Sequence, residues 1–252
     1  QKYDKWANII HSNGTRSKGE LFDDISVQKI LLAGNVLHLF TNYIKYPRTY
    51  HLPWSPGVTK KDRVLNNIND FLGKEIIITE KMDGENTSIY RDYIHARSLE
   101  MDNHQSRDWV KNFHSTIAHE IPEGWRICGE NLYAKHSIHY NNLESYFLLF
   151  SIWNEKNICL SWDETVEWAK LLNLSLVKVL YRGKFNYNQS FLYSIETGLD
   201  FINNNEGYVI RLADEFHYSM FRKSVAKYVR AGHVQTTHNW KTQPIVKNTL
   251  MS

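Results

Sequence analysis

Cysteine and proline are scarce in this chain of 252 residues, which contains two cysteines and five prolines. Cys128 and Cys159 are too few for the disulfide framework of a small secreted domain, and they favour a reducing, intracellular setting. Three of the prolines fall within residues 45–57, "KYPRTYHLPWSPG". Proline restricts the backbone to extended and turn conformations, so this segment is a candidate boundary between two parts of the chain.

The sequence also lacks long apolar runs and any large excess of one charge. No window approaches the roughly 18 apolar residues of a membrane-spanning helix, so we expect no membrane association. The N-terminal "QKYDKWANII" has no basic-then-apolar signal pattern. The formal net charge of +3 permits an acidic partner such as nucleic acid but does not require one.

The first 44 residues differ in pattern from the rest of the chain. Within them, "SVQKILLAGNVLHLFTNYI" carries apolar residues at roughly helical spacing, which predicts a helix. We therefore expect residues 1–44 to form a helical N-terminal appendage of unassigned role, and residues 45–252 to form the main domain. The chain begins with Gln1 rather than Met, so we expect a trimmed or partial form of a longer protein.

Short strands and helices mix irregularly from residue 74 onwards, and several strands come in adjacent pairs. Adjacent strands joined by tight turns pair antiparallel, whereas a doubly wound fold needs a helix between successive strands. The sequence therefore predicts an α+β fold. The expected strands are residues 75–79, 87–90, 93–98, 125–131, 146–153, 175–181, 206–212 and 217–223, and the expected helices are 107–121, 161–174 and 189–204. The second helix begins with a predicted capping box formed by Ser161 and Glu164.

Lys81 stands where the apolar run "EIIITE" gives way to the turn "MDGEN". A free lysine has a pKa near about 10.4, and nearby cations or burial lower that pKa and free the lone pair for attack. The strand end would hold the lysine rigidly at the lip of a pocket, and Gly84 would let a phosphate approach the backbone closely. From these residues alone, a surface lysine before a hairpin turn is the simpler interpretation.

Four further segments make the lysine motif more specific. In chain order the five are "KMDGEN" at residues 81–86, "CGEN" at 128–131, "YFLLFSIW" at 146–153, "EGYVIR" at 206–211 and "FRKSVAKYVR" at 221–230. In this order and spacing they resemble the ATP-dependent RNA ligases of the covalent nucleotidyltransferase superfamily, over roughly residues 45–230. The resemblance implies the nucleotidyltransferase fold of ligase adenylation domains, with antiparallel sheets, flanking helices and ATP as the AMP donor.

The resemblance assigns the first motif to nucleotide attachment. Lys81 matches the family's nucleophile, which attacks the α-phosphate of ATP, expels pyrophosphate and holds AMP as a phosphoramide. Glu80 lies beside it in the expected nucleotide site. Asn86 matches an asparagine of RNA ligases that positions AMP and the RNA end in the later steps. Arg97, in "HARS", falls where the family has an arginine that contacts AMP or the RNA 5′-phosphate.

The next motifs supply the other contacts that the resemblance implies. Glu130 matches the acid that binds the ribose hydroxyls, and Phe150 matches the aromatic residue that stacks on adenine. Core packing is the alternative for Phe150, because its strand is rich in aromatic residues. Glu206 matches the acid that binds the catalytic metal, and phosphate chemistry with oxygen ligands favours Mg²⁺ or Mn²⁺ there.

The basic segment departs from the family pattern, in which two lysines one residue apart reach the α-phosphate. Lys223 and Lys227 would lie about 13 Å apart along a strand, too far for both to touch one phosphate. We expect Lys223 to face the pocket with Arg222 or Lys227 as its companion, and a basic edge strand that only solvates the sheet is the alternative. The same positive charge would favour the uncharged form of Lys81.

The proline-rich segment resembles one that a subset of RNA ligases carries before the lysine motif. Arg48 and His51 are therefore candidates to contact RNA or phosphate, and a plain connector is the alternative. Together the residues predict an enzyme that joins an RNA 5′-phosphate to a 3′-hydroxyl through lysyl-AMP and an adenylylated RNA end (AppRNA). Its expected partners are ATP and RNA ends, in an intracellular location.

Three other functions remain open from the sequence. Capping guanylyltransferases and DNA ligases share the superfamily, but they append an OB-fold domain, and only about 22 residues follow Arg230, too few for that five-stranded barrel. We therefore expect no OB-fold domain. The third is a non-catalytic module that binds nucleotides or RNA ends within a larger repair protein. Against this last alternative, the charged residues that catalysis would need are all present: Lys81, Glu130, Glu206 and Lys223.

Overall fold

The computed structural model describes residues 43–97, 99, 104–188, 205–233 and 244–251. Residues 1–42 of the predicted appendage and the whole predicted helix at 189–204 lie outside the described residues. The boundary at residue 44 therefore stays a prediction. Within the described part of the chain, no helix combines the length and the apolar character that crossing a membrane would require.

The described residues form two β-sheets with α-helices packed against them, which confirms the α+β prediction. The strands are β1 (Tyr50–His51), β2 (Glu75–Lys81), β3 (Glu85–Ile89), β4 (Ile94–Ala96), β5 (Arg126–Asn131), β6 (Phe147–Trp153), β7 (Ile158–Cys159), β8 (Val179–Lys184), β9 (Gly207–Leu212), β10 (Phe216–His217) and β11 (Val225–Val229). The α-helices are α1 (Asp108–Ile117), α2 (Trp162–Leu171) and α3 (Phe221–Ser224).

The first sheet has the strand order β1-β11-β9-β2-β8, and its pairs are antiparallel except for β1 with β11. Its interior strand β2 is buried on both faces, because Ile76 and Ile78 pack with Leu52 and Phe71 while Ile77 packs on the other side. A strand covered on both faces reads as a continuous apolar run rather than an alternating one, which explains the sequence "EIIIT".

The second sheet has the order β10-β7-β6-β5-β3-β4 and is antiparallel throughout. Helix α1 covers one face, with Val110 and Ile117 packed among buried residues of β3, β5 and β6. The face also receives Ala169 of α2. The two sheets meet where β2 passes directly into β3 through the turn after Lys81, and that turn carries the candidate site.

Helix α2 begins as the sequence predicts. The Ser161 hydroxyl accepts a hydrogen bond from the Glu164 N–H, and the Glu164 carboxylate accepts one from the Ser161 N–H. These two bonds satisfy backbone donors that the first helical turn leaves without partners. The predicted capping box is therefore confirmed.

The predicted strand at residues 217–223 is wrong. The His217 side chain accepts a hydrogen bond from the Ser219 N–H and starts a 3₁₀ turn, and α3 follows before β11 begins at Val225. Phe221 turns inward to pack against Trp153, which the helical turn permits. Lys223 and Lys227 therefore do not share a strand, and the separation of about 13 Å expected along one strand does not apply to them.

Both cysteines are buried and free. Cys128 and Cys159 lie in the same apolar cluster as Trp153 and Phe216. Burial raises the pKa of the Cys159 thiol to about 11, although the nearby Arg211 opposes the shift. Both residues are thus core residues with free thiols.

Candidate active site

Lys81 is the last residue of β2 and is paired in register with Gly207, the first residue of β9. This register places Glu206 next to the lysine, and Lys81 Nζ donates a hydrogen bond to Glu206 Oε2 at 2.6 Å. The lysine side chain is 21% exposed and the glutamate side chain 8%. Two residues that are 125 positions apart in sequence therefore form a half-buried ion pair at the end of a central strand.

The backbone at position 207, directly after Glu206, requires a glycine. Its φ of +153° lies in a region that residues with a side chain rarely adopt, and a Cβ there would lie 2.0 Å from the Tyr228 carbonyl oxygen of β11. Only glycine lets β9 begin this close to β11. The glycine thereby fixes the backbone position from which Glu206 reaches Lys81.

The charges around Lys81 raise its pKa rather than lower it. Burial alone lowers the pKa, but the carboxylates of Glu206, Glu130 and Asp83 raise it more, so the net pKa lies above the ordinary lysine value. The expectation that positive charge favours the neutral amine is therefore wrong for the protein alone. The physical reason is that three carboxylates surround the lysine.

Hydrogen bonds and close packing within the protein fix the turn after Lys81. Asp83 Oδ2 accepts hydrogen bonds from the N–H groups of Ser137 and Ile138, at 2.8 and 2.9 Å. A Cβ on Gly84 would lie 2.6 Å from the Asn131 carbonyl oxygen. The glycine is thus required by the close approach of β5, and the approach of a phosphate at this glycine stays a prediction.

A cavity of about 410 Å³ opens beside Lys81, between the two sheets. Its walls combine charged residues around the lysine with an aromatic region deeper in the second sheet. Most of the site residues that were predicted from the sequence line this cavity. The predicted residues in its walls are Arg48, Glu80, Lys81, Asn86, Arg97, Glu130, Phe150 and Lys227.

Asn86 and Glu130 face each other across β3 and β5, where they are register partners. Asn86 Oδ1 is buried and has no hydrogen-bond partner within the described residues. A buried polar atom without a partner is costly, and one that lies in a cavity wall indicates a missing ligand group. Burial also raises the pKa of Glu130 to about 8, with Lys81 opposing that shift and Glu206 and Asp83 adding to it.

The raised pKa of Glu130 makes a testable prediction about stability. The folded state keeps the Glu130 carboxyl protonated up to about pH 8, whereas the unfolded state releases that proton near pH 4.5. The contribution of this carboxyl to the free energy of unfolding is therefore fully present below pH 4.5 and is lost as the pH rises to 8. Between these values the free energy of unfolding of the wild type should fall relative to Glu130→Gln, by at most about 1.4 kcal/mol per pH unit.

Urea unfolding of both proteins between pH 5 and pH 8, with EDTA present, measures this difference. Glu144→Gln changes an exposed glutamate and is the matched control, for which we expect no such divergence from the wild type. Parallel pH profiles for the wild type and Glu130→Gln would show that Glu130 is ionised in the folded protein at neutral pH.

Phe150 lies at the cavity wall, and its β6 neighbours Ser151 and Trp153 line the cavity as well. The ring of Phe150 is half-buried and meets Tyr46 edge to face, with centroids 5.3 Å apart. Phe147 and Trp153 of the same strand are fully buried. The aromatic strand therefore contributes Phe147 to the core, while Phe150 and the buried Trp153, together with Tyr46, line the cavity.

Comparison with protein-family models assigns the chain to a family. The family model described as "RNA ligase" matches residues 74–229, which is more than half of the chain. The chain belongs to the RNA ligase family. A search of curated proteins found no match.

Two solved structures that align with this chain are an RNA ligase and a DNA ligase by their descriptions. An RNA ligase of Naegleria gruberi, a mutant form with ATP and Mn, aligns at 17% identity with a TM-score of 0.51, over 77% of this chain and 58% of its own. A putative ATP-dependent DNA ligase from Aquifex aeolicus aligns at 19% identity with a TM-score of 0.49, over 75% of this chain and 50% of its own. The chain thus spans about half of the length of these proteins, and the first likeness supports the fold.

The basic residues of this RNA ligase family member are divided between the cavity and the surface. Lys227, in β11, lines the cavity, and burial followed by the charge of Lys81 lowers its pKa. Lys223 is exposed in α3 and does not line the cavity. Arg222 is also exposed and places its guanidinium over the Tyr50 ring, 4.6 Å from the centroid. The geometry thus favours Lys227 over Lys223 as the cation of the site.

The two candidates of the proline-rich segment also differ in position. Arg48 lines the cavity and donates a hydrogen bond to the Lys61 carbonyl oxygen at 3.3 Å. His51 does not line it and is buried behind it, with Nδ1 2.8 Å from Ser55 Oγ. Burial and the charge of Lys227 lower the pKa of His51 to about 4, so it is neutral at physiological pH.

Three further residues at the site were not predicted from the sequence. Asp62 lines the cavity and lies 3.8 Å from Lys227 Nζ, and no motif marks it. Arg211 also lines the cavity, and its Nη1 is buried without a partner among the described residues. Its position at the end of the "EGYVIR" motif could have identified Arg211 from the sequence. His233, three residues beyond "FRKSVAKYVR", approaches both Asp83 and Glu206.

Proposed function

We propose that this chain is an ATP-dependent RNA ligase in which Lys81 carries AMP. The observation that supports this most strongly is the Lys81–Glu206 pair beside a cavity that Glu130, Phe150 and Lys227 also line. A nucleotide needs a flat platform for its base, polar groups for its ribose and cations for its phosphates. The cavity offers the Phe150 ring, the Glu130 carboxyl and Lys227 for these three parts.

In the first step the neutral Lys81 amine attacks the α-phosphorus of ATP. A nitrogen–phosphorus bond forms, the bond from the α-phosphorus to the bridging oxygen breaks, and pyrophosphate leaves. The lysine must lose a proton, and Glu206 Oε2, at 2.6 Å, lies within hydrogen-bonding reach of it. Lys227 adds positive charge on the side where the phosphates would lie, which stabilises the transition state.

The next two steps move AMP and then release it. An oxygen of the RNA 5′-phosphate attacks the lysyl-AMP phosphorus, the phosphorus–nitrogen bond breaks, and the lysine nitrogen takes up a proton. The 3′-hydroxyl of the second RNA end then attacks the 5′-phosphorus, loses its proton and expels AMP. Asn86 and Arg97 would hold the RNA phosphate, which is supported by their position in the cavity wall. The backbones of the two residues are joined by a hydrogen bond from the Arg97 N–H to the Asn86 carbonyl oxygen.

A divalent metal fits the donor set beside Lys81. Glu206 Oε2 is held by Lys81, while Glu206 Oε1 makes no hydrogen bond within the described part of the chain. A carboxylate oxygen left open in this way suits Mg²⁺ or Mn²⁺. When bound, the ion would offset the carboxylate charge that raises the pKa of Lys81 and the negative charge of the triphosphate.

The decisive experiment is to incubate the chain with ATP and Mg²⁺ or Mn²⁺ and to measure its intact mass. We expect an increase of one AMP, mapped to the peptide that contains Lys81. Transfer to 5′-phosphorylated RNA and joining to a 3′-hydroxyl end should follow. Labelling by GTP alone would indicate a capping-type enzyme, joining of DNA ends only would indicate a DNA ligase, and tight ATP binding without a mass increase would indicate a non-catalytic module.

A further inference from the structure

Three potential ligand atoms converge beside Lys81. Asp83 Oδ1, Glu206 Oε1 and His233 Nε2 all lie within 4.8 Å of one another. The imidazole nitrogen is 3.9 Å from Asp83 Oδ1 and 3.7 Å from Glu206 Oε1. These separations exceed the distances of hydrogen bonds, so the three atoms face a common gap.

Each carboxylate is fixed through its other oxygen. Asp83 Oδ2 accepts hydrogen bonds from the Ser137 and Ile138 N–H groups, and Glu206 Oε2 accepts one from Lys81. This arrangement orients both carboxylates and leaves Asp83 Oδ1 and Glu206 Oε1 turned towards the histidine. The gap is therefore held in shape by contacts outside it.

His233 is brought to this gap by the turn that follows β11. The Arg230 N–H donates a hydrogen bond to the Glu206 carbonyl oxygen at 3.0 Å, which ties the turn to the start of β9. Gly232 then bends the chain with a φ of +72°. The His233 side chain is only 2% exposed, and its Nε2 makes no hydrogen bond within the part of the chain that the structure describes.

The distances of 3.9 and 3.7 Å from His233 Nε2 to the two carboxylate oxygens match those between neighbouring ligand atoms around a metal ion. Metal–ligand bonds of about 2.0–2.2 Å place neighbouring ligand atoms about 3–4 Å apart. Two carboxylate oxygens and one imidazole nitrogen also form a mixed donor set, which binds Mn²⁺, Co²⁺ or Zn²⁺ in preference to Mg²⁺, since Mg²⁺ favours oxygen ligands.

We propose that Asp83, Glu206 and His233 together bind one divalent metal ion, and that His233 makes the site select Mn²⁺ over Mg²⁺. This inference deepens the proposed function, on which it rests, because it adds two ligands to the metal assigned to Glu206. The alternative is that His233 is a cation that pairs with the two carboxylates and binds no metal.

Electron paramagnetic resonance of Mn²⁺ added to the full chain, without nucleotide, tests the proposal. Titration should reveal one bound ion, and pulsed spectra should contain the ¹⁴N coupling of a directly bound imidazole. In His233→Ala the Mn²⁺ affinity should fall at least about tenfold, with a smaller fall in Mg²⁺ affinity, measured by competition, and the ¹⁴N signal should vanish. His119→Ala removes an exposed histidine away from the gap and should bind Mn²⁺ as the wild type does.

Either of two results would overturn the proposal: a wild-type spectrum without ¹⁴N coupling, or unchanged Mn²⁺ affinity in a His233→Ala variant that unfolds in urea as the wild type does. If His233→Ala does not fold, the wild-type spectrum still decides. The outcome is separate from that of the proposed function. AMP labelling of Lys81 without ¹⁴N coupling would refute only the histidine ligand, and ¹⁴N coupling without AMP labelling would refute only the ligase.

Discussion

Lys81→Ala should abolish the attachment of AMP to the chain. The variant removes the amine that attacks the α-phosphorus in the proposed mechanism, and the loss should be at least about a thousandfold, because no other group can replace a missing nucleophile. Labelled ATP with Mg²⁺ or Mn²⁺, followed by denaturing electrophoresis, measures the label that stays on the protein. Lys156→Ala, which changes an exposed lysine in a turn, is the matched control and should label fully.

The same variant separates the first step from the last. When Lys81→Ala is given RNA that is already adenylylated at its 5′ end, we expect some joining to a 3′-hydroxyl, because the proposed mechanism uses the lysine as a nucleophile only to make lysyl-AMP. Complete loss of this joining in a folded variant would mean that the lysine also contributes charge in the last step. Undiminished labelling of Lys81→Ala by ATP would instead contradict the assignment of the nucleophile.

The fold could be predicted from the sequence wherever interactions between residues close in sequence determine the local structure. The capping box of Ser161 and Glu164 involves residues three apart, and both of its hydrogen bonds are present. The run at residues 75–79 has a length and a β-branched content that local preference already favours as a strand. The segment 217–223 failed because packing of Phe221 against Trp153 outweighs its strand-like alternation.

The candidate site could be predicted only in part, because it is formed by residues that lie far apart in the sequence. Lys81 and Glu206 meet because β2 pairs with β9, and the resemblance to RNA ligases suggested their partnership without giving the register. Asp62 and His233 reach the site by tertiary packing from segments without a motif. A single sequence contains no local signal for such contacts.

Lys227→Ala should impair AMP attachment far more than Lys223→Ala. Lys227 lines the cavity with a side chain that is 17% exposed, so its charge acts on bound phosphate with little screening by water. Loss of such a positioned cation should slow labelling by about a hundredfold. Lys223 is exposed on α3, outside the cavity, and its removal should change the rate less than about fivefold.

Single-turnover labelling with saturating ATP is the measurement for both variants, because it isolates the chemical step. A third variant, Asp62→Asn, extends the test, since Asp62 lies 3.8 Å from Lys227 Nζ and helps to orient it. We expect a smaller loss there, because the lysine charge remains and only its position is less fixed. If Lys223→Ala proved the more damaging change, α3 would have to unwind on binding ATP so that its lysine could enter the cavity.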